Sequence, residues 1–375
     1  MWENGWLIVD RNSINPSGIE AQDDFSNAFQ FYGNNQQIKY PVNDYPNAEH
    51  SAIPRREFTA NYAYIYSVNT PIYKPRSGNI VNKAERQWFY LPTQKMLVVF
   101  DNAETVRDAN TKAFRLTFAQ PPTMTGNVMT YNNGTTKVLS HVVVPQTFNT
   151  FQPTETFGTC DECRTRYHYI DVKYTTQKKK NYFVNVIYTR PSAAATRTIS
   201  AISRAAGNVT LSDFYGSLIG ADTTNIAVLF AGDSTTYSYD SLRYRISDAR
   251  QSHHYVVGLR PSTNYYLTKT VAANELSVHI SRNAIPNAGI VQSTPNGILE
   301  FHHNSLCISN LTLVSPADNV SSGIVGKLVS NKITASNQIT GGKATYDAGK
   351  AVELTTGFVA TSSGVFTARI GGCAN

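Results

Sequence analysis

At 375 residues the chain is too long for one small domain; roughly 150 residues per domain gives two or three. Charged residues make up only 16%, against roughly 25% in ordinary soluble domains, while aromatics reach 11% with 22 tyrosines, which excludes a disordered chain. Lys and Arg outnumber Asp and Glu by 33 to 26, a net charge of +7 that favours a polyanionic partner: nucleic acid, anionic lipid or acidic polysaccharide.

In chain order, the opening Met1-Trp2-Glu3-Asn4 is not the basic, then apolar start of a signal peptide. Period-two alternation follows, first in Tyr62-Ala63-Tyr64-Ile65-Tyr66 and later in Tyr167 to Tyr174, both rich in the aromatic and β-branched residues that suit strands. Turn clusters such as Arg76-Ser77-Gly78-Asn79 and Asn132-Asn133-Gly134 separate them. Cys160 and Cys163 form the only close cysteine pair; zinc would need a second pair, so a disulfide, local or long-range, is expected. Lys178-Lys179-Lys180 reads as a solvated hairpin. The small-residue stretch Ser192 to Thr196 introduces a second zone, in which Ile226 to Ala231 is a strand-sized apolar run. Leu259-Arg260-Pro261-Ser262-Thr263-Asn264-Tyr265 resembles the fibronectin-type tyrosine corner, a structural device. After Thr294-Pro295-Asn296-Gly297 a final strand runs to Phe301. Beyond about residue 318 aromatics thin out, and apolar residues recur at intervals of about six (Ile333, Ile339, then Val352, Phe358), which predicts short strands stacked in rungs.

The expected fold is therefore all-β: a large antiparallel β-sandwich with a small C-terminal stacked-strand module. The expected divisions are 1–190 and 191–308 for the two parts of the sandwich and 309–375 for the module. No run approaches the roughly 18 to 20 apolar residues of a membrane helix. Recognition helices, RNP-like strands, zinc-finger spacing, phosphate-binding glycine motifs and a Gly-x-Ser-x-Gly elbow are all missing, so nucleic acid is not the expected polyanion.

Two family resemblances sharpen this. Asn4-Gly5-Trp6-Leu7-Ile8-Val9-Asp10, Asn34 to Pro41, Asn61 to Tyr66, Ala84 to Leu91, Met96 to Asp101 and Phe114 to Phe118 follow one another in an order that resembles the β-sandwich region of heparinase II/III-like polysaccharide lyases, with His253 to Leu259 fitting its later part. The match spans about residues 3–308 and implies a supersandwich-like fold. Asn337 to Gly342, Tyr346 to Leu354 and Gly357 to Ala360, closing on Ile370 to Cys373, look like the C-terminal strand-repeat module of secreted Bacteroidota proteins. That implies a secreted or cell-surface protein whose signal peptide lies upstream of Met1.

The lyase family cleaves uronic-acid polysaccharides by β-elimination, with most of its catalytic groups on a helical toroid that precedes the sandwich. A strand-rich chain of this length has no room for that toroid. The resemblance thus implies a protein that binds acidic polysaccharide. The alternatives are a lyase whose toroid is missing or supplied by a partner chain, and a structural surface scaffold that self-assembles into homo-oligomers.

The candidate substrate contacts are Arg55, Arg56, Arg76 and Arg86, whose guanidinium groups suit sugar carboxylate or sulfate, and Tyr62 and Tyr64, whose rings suit a pyranose face. Tyr62, Tyr64 and Tyr66 share a strand face that reads first as a buried sandwich face, and Arg86 reads first as an outer-face structural ion pair. The family's sandwich carries a metal site; its His-Asn motif is Glu3-Asn4 here, and Glu3, Asp24 and His50 are the matching set for one structural zinc or calcium ion. His253-His254 and His302-His303 are adjacent pairs that point to opposite faces of their strands, so neither pair alone chelates an ion. Both read as packing or polar-network residues.

Overall fold

The structure, a computed structural model, describes residues 29–33, 36–37, 51–71, 73, 80–118, 120–151, 154–157, 165–204, 214–220, 224–233, 239–247, 251–272, 275–303, 310–329 and 331–370. It is nearly all β. Two compact units are present: the described residues up to 247 together with Ser252–His302, and Gln251 together with those from His303 onward. Among the described residues no helix is long and apolar enough to cross a membrane.

The first unit is a stack of sheets. At its centre an eight-stranded sheet runs in the order Ala52–Phe58, Ala63–Val68, Val81–Leu91, Met96–Thr105, Lys180–Pro191, Thr136–Val144, Val128–Asn132 and Thr123–Thr125. Because successive side chains alternate faces, its central strands feed two cores. Tyr62, Tyr64, Tyr66, Phe89, Val98, Phe100, Val184 and Tyr188 face a five-stranded sheet through Ile226, Val228, Phe230, Tyr255, Val257 and Ile298. Ala84, Val99, Ala103, Val138, Val142 and Phe183 face a six-stranded sheet through Phe31, Phe114, Leu116, Ile170 and Val172. A further five-stranded sheet lies on the far side of the first, where Tyr244 Oη meets His254 Nδ1 at 2.7 Å.

The five-stranded sheet next to the centre orders Ile199–Ala201, Phe214–Ile219, Asn225–Ala231, Ser252–Val257 and Ile298–His303. Asn225–Ala231 is buried along its whole length, as its unbroken apolar run requires of a strand covered on both faces. It pairs in parallel with Ser252–Val257, against the antiparallel expectation that its pairing with Phe214–Ile219 and that strand's pairing with Ile199–Ala201 both follow. Lys178 to Lys180 is exposed or half-buried but does not close a hairpin. The strands around it, Thr165–Tyr174 and Lys180–Pro191, belong to different sheets, so the run is a crossing between layers. At the tyrosine corner, buried Tyr265 accepts the Arg260 N–H at 3.0 Å.

Two arginines are taken up by the cores. Arg86 and Asp101 are direct cross-strand partners joined by two charge-assisted hydrogen bonds of 2.6 and 2.8 Å, and Arg115 and Asp171 repeat the arrangement at 2.6 and 2.7 Å.

The second unit stacks parallel strands in three ladders: Asn310–Leu313, Lys332–Ala335 and Ala351–Leu354; Ile324–Val329, Gly342–Ala348 and Gly364–Ile370; and Gln338–Ile339 with Val359–Ala360. Partners in the first ladder, Asn310, Lys332 and Ala351, lie 22 and 19 positions apart, the length of one rung. Leu313, Val329, Ile333, Ala335, Ile339, Ala344, Tyr346 and Ala348 fill its interior. Gly342 turns the corner between rungs at φ +73°, where a Cβ would strike the Gly323 carbonyl.

Candidate functional site

The hairpin made by Ala52–Phe58 and Ala63–Val68 forms one edge of the central sheet, and Ile298–His303 forms an edge of the neighbouring sheet. The hairpin tip is a side-chain-stapled turn: Thr59 Oγ1 accepts the N–H groups of Asn61 and Tyr62 at 3.1 and 3.0 Å. From it Asn61 Nδ2 donates to Glu300 Oε1 at 2.9 Å, which ties the two edges together. Glu57 completes the tie. Its carboxylate accepts Tyr62 Oη at 2.6 Å, Thr294 Oγ1 at 2.8 Å and Asn296 Nδ2 at 3.0 Å. Burial, and then the Glu57 carboxylate, raise the Tyr62 phenol above its ordinary range, so it stays protonated and donates.

The inner face of this edge carries a polar cluster. His253 Nε2 lies 2.7 Å from Glu300 Oε1, its Nδ1 lies 3.1 Å from Tyr255 Oη, and its ring stacks on His302 at 3.9 Å between centroids. His253, Glu300 and His302 offer ligand atoms that all lie within 4.8 Å of one another, and they form the one such set of three found among the described residues. Burial and the adjacent His302 ring lower the His253 pKa against the pull of Glu300, which keeps the imidazole neutral at physiological pH. Their partners in the two His pairs point the other way: His254 is buried, parallel to Phe301 at 4.7 Å and 2.7 Å from Ser252 Oγ. Sequence reading placed each pair on opposite faces but had no means of seeing that His253 and His302 converge. Their strands are neighbours in space and far apart in sequence. The available signal was Glu-x-His at 300 and 302, two potential ligands on one strand face.

The outer face of the same hairpin is a shelf. Cross-strand register aligns Phe58, Ala63 and Tyr90 in one row and Arg56, Ile65 and Trp88 in the next. Phe58 is 65% and Tyr90 38% exposed, Arg56 is exposed and Trp88 half-buried. A guanidinium and exposed aromatic rings on one sheet face offer charge-assisted hydrogen bonds and a stacking surface together.

Of the described residues singled out from sequence, Arg56 alone is on this shelf. Arg55, its neighbour, points inward with its guanidinium 5.3 Å from the Tyr66 ring centre. Tyr62 and Tyr64 are 1% and 0% exposed: Tyr62 stacks on Phe89 and meets Tyr255 edge-on, and Tyr64 donates to Gln87. Arg86 is held by Asp101 against Phe114 in the interior rather than on an outer face. Arg76, the Glu3, Asp24 and His50 metal set, and the Cys160 and Cys163 pair lie outside the described residues.

Fold and site together define an all-β protein of layered, mainly antiparallel sheets with an aromatic and basic shelf at one sheet edge. No protein-family model matches the chain, and no curated protein matches it. Solved structures similar to part of it include heparan sulfate lyase HepC from Pedobacter heparinus, 12% identical over 54% of this chain and 30% of that one, with a TM-score of 0.41. The Heparinase III-BT4657 gene product is 9% identical over 55% of this chain and 30% of its own, with a TM-score of 0.41. Its form with methylated lysines is 12% identical over 61% and 35%, with a TM-score of 0.45. The chain thus spans about a third of the length of these structures.

Proposed function

We propose that this chain is an extracellular protein that binds an acidic polysaccharide through the shelf on the outer face of the 52–68 hairpin. The observation that carries the reading is the row register: Arg56, Phe58, Trp88 and Tyr90 share one face of adjacent strands, exposed or half-exposed, in a chain of net charge +7. A uronic-acid or sulfated sugar would set its ring on Phe58 or Tyr90 and its anionic group on Arg56. The motif order resembling lyase sandwiches points to the same substrate class.

Affinity electrophoresis in gels containing heparin, chondroitin, alginate or pectate tests this. The protein is expected to be retarded at low salt by at least one of them, and less so as ionic strength rises and screens the contact. Free migration in every gel would refute the reading. Absorbance from an unsaturated uronate product in the same mixtures would move the protein from binder to lyase.

A further inference from the structure

We infer that His253, Glu300 and His302 form a binding site for a divalent transition ion of the zinc type, distinct from the Glu3, Asp24 and His50 set. The inference rests on geometry and does not depend on the glycan reading.

Zinc takes imidazole nitrogen and carboxylate oxygen at about 2.0–2.2 Å, so ligand atoms around a tetrahedral ion sit about 3.3 Å apart. The three ligand atoms here are already within 4.8 Å of one another, and His253 Nε2 and Glu300 Oε1 are at 2.7 Å. Small side-chain rotations bring the set onto one ion. The strands hold the residues ready for this: Glu300 and His302 are two apart on one strand and share a face, and His253 stands on the adjacent strand with its ring against His302.

The surroundings suit a metal in three respects. His253 is oriented from its other nitrogen by Tyr255 Oη at 3.1 Å, the kind of outer contact that fixes a ligating imidazole. With Nε2 turned to the ion, Nδ1 carries the ring proton and the Tyr255 oxygen accepts it. Asn61 Nδ2 steadies the Glu300 carboxylate at 2.9 Å. The nearby ammonium of Lys269 donates to the His302 carbonyl at 2.8 Å. Three protein ligands leave a fourth position for water or an anionic oxygen, and His302 is exposed enough to admit the ion.

The test is titration of the chelator-treated full-length protein with Zn2+ by calorimetry, and with Co2+ by visible absorption, in the parent and in His302→Ala, Glu300→Gln and Tyr255→Phe. The parent is expected to bind with a rise in Tm and, with Co2+, to develop d–d bands from imidazole and carboxylate ligation. His302→Ala and Glu300→Gln should each lose at least tenfold in affinity, and Tyr255→Phe about tenfold. His302 is exposed, so His302→Ala should melt like the parent when no metal is present; Glu300→Gln gives an independent reading. Absence of binding in the parent overturns the proposal. So does binding that survives in His302→Ala and Glu300→Gln; its loss in a His50→Ala control would then assign the ion to the other set.

Discussion

His141 shows how a single side chain in the core sets a pH limit. Its strand, Thr136–Val144, turns Leu139 and Val143 into the core shared with the five-stranded sheet, and His141 follows them there, 3% exposed. Tyr188 Oη accepts the Arg197 N–H at 3.0 Å, so its own hydrogen is available to His141 Nε2, also at 3.0 Å. The ring acts as an acceptor and must be neutral. Burial lowers its pKa to about 4, from about 6.5 in an unfolded chain. Between those values the unfolded state takes a proton that the native state refuses. Stability should therefore fall as pH drops from about 6.5 to about 4 and level off below, by roughly 2–3 kcal/mol from this residue. Urea unfolding of the parent and of His141→Gln across that range isolates the effect, since other groups titrate in both. The variant should lose that much less; parallel slopes would remove His141 from the account.

At the scale of elements, the hairpin that bears the shelf is held by Glu57. One carboxylate receives three donors, from Tyr62, Thr294 and Asn296. Glu57→Gln keeps the size but leaves one acceptor oxygen for those three donors and adds an amide needing acceptors of its own. A loss of about 1–3 kcal/mol is expected, read by urea unfolding, because unmet donors at a half-buried site bear the desolvation cost. A change within about 0.5 kcal/mol, the range of an ordinary surface substitution, would show that the tie is unimportant.

The elements also show what sequence could and could not reveal. Strands announced themselves through alternation at Tyr62 to Tyr66 and Tyr167 to Tyr174, because periodicity is a local property; the six-residue spacing of Ile333 and Ile339 marks successive strands along one rung, whose length of 19 to 22 residues it did not show. Local too is the contact from Tyr265 back to Arg260. Sheet order is not local. Nothing near Ile226 announces that it pairs in parallel with the strand of His253, and nothing near Lys178 announces that the chain changes sheet there. The candidate site suffered most from this. Arg55 and Arg56 looked equivalent as a pair, yet the pleat sends one under Tyr66 and leaves the other on the shelf. Arg86 could be placed only by knowing that Asp101 stands opposite it. Phe58 and Tyr90 meet only through the register of three strands.

For the molecule as a whole, a charge of +7 states only that polyanions are attracted; it does not say where. Several cations are already matched: Arg86 and Arg115 are buried against carboxylates, Arg245 meets Glu275 at 3.0 Å, and Arg260 and Arg282 share Asp240. Arg56 is exposed in the rows that also carry Phe58 and Tyr90, so charge and ring faces lie on one sheet face there. The most direct measurement is therefore affinity electrophoresis of the parent beside Arg56→Ala/Phe58→Ala/Tyr90→Ala, in the acidic polysaccharide that retards the parent most, with Tm recorded for both. The three side chains lie at the surface, so Tm should stay close to that of the parent while retardation is largely lost. Undiminished retardation in a folded variant would contradict the assignment of the shelf as the glycan-binding face.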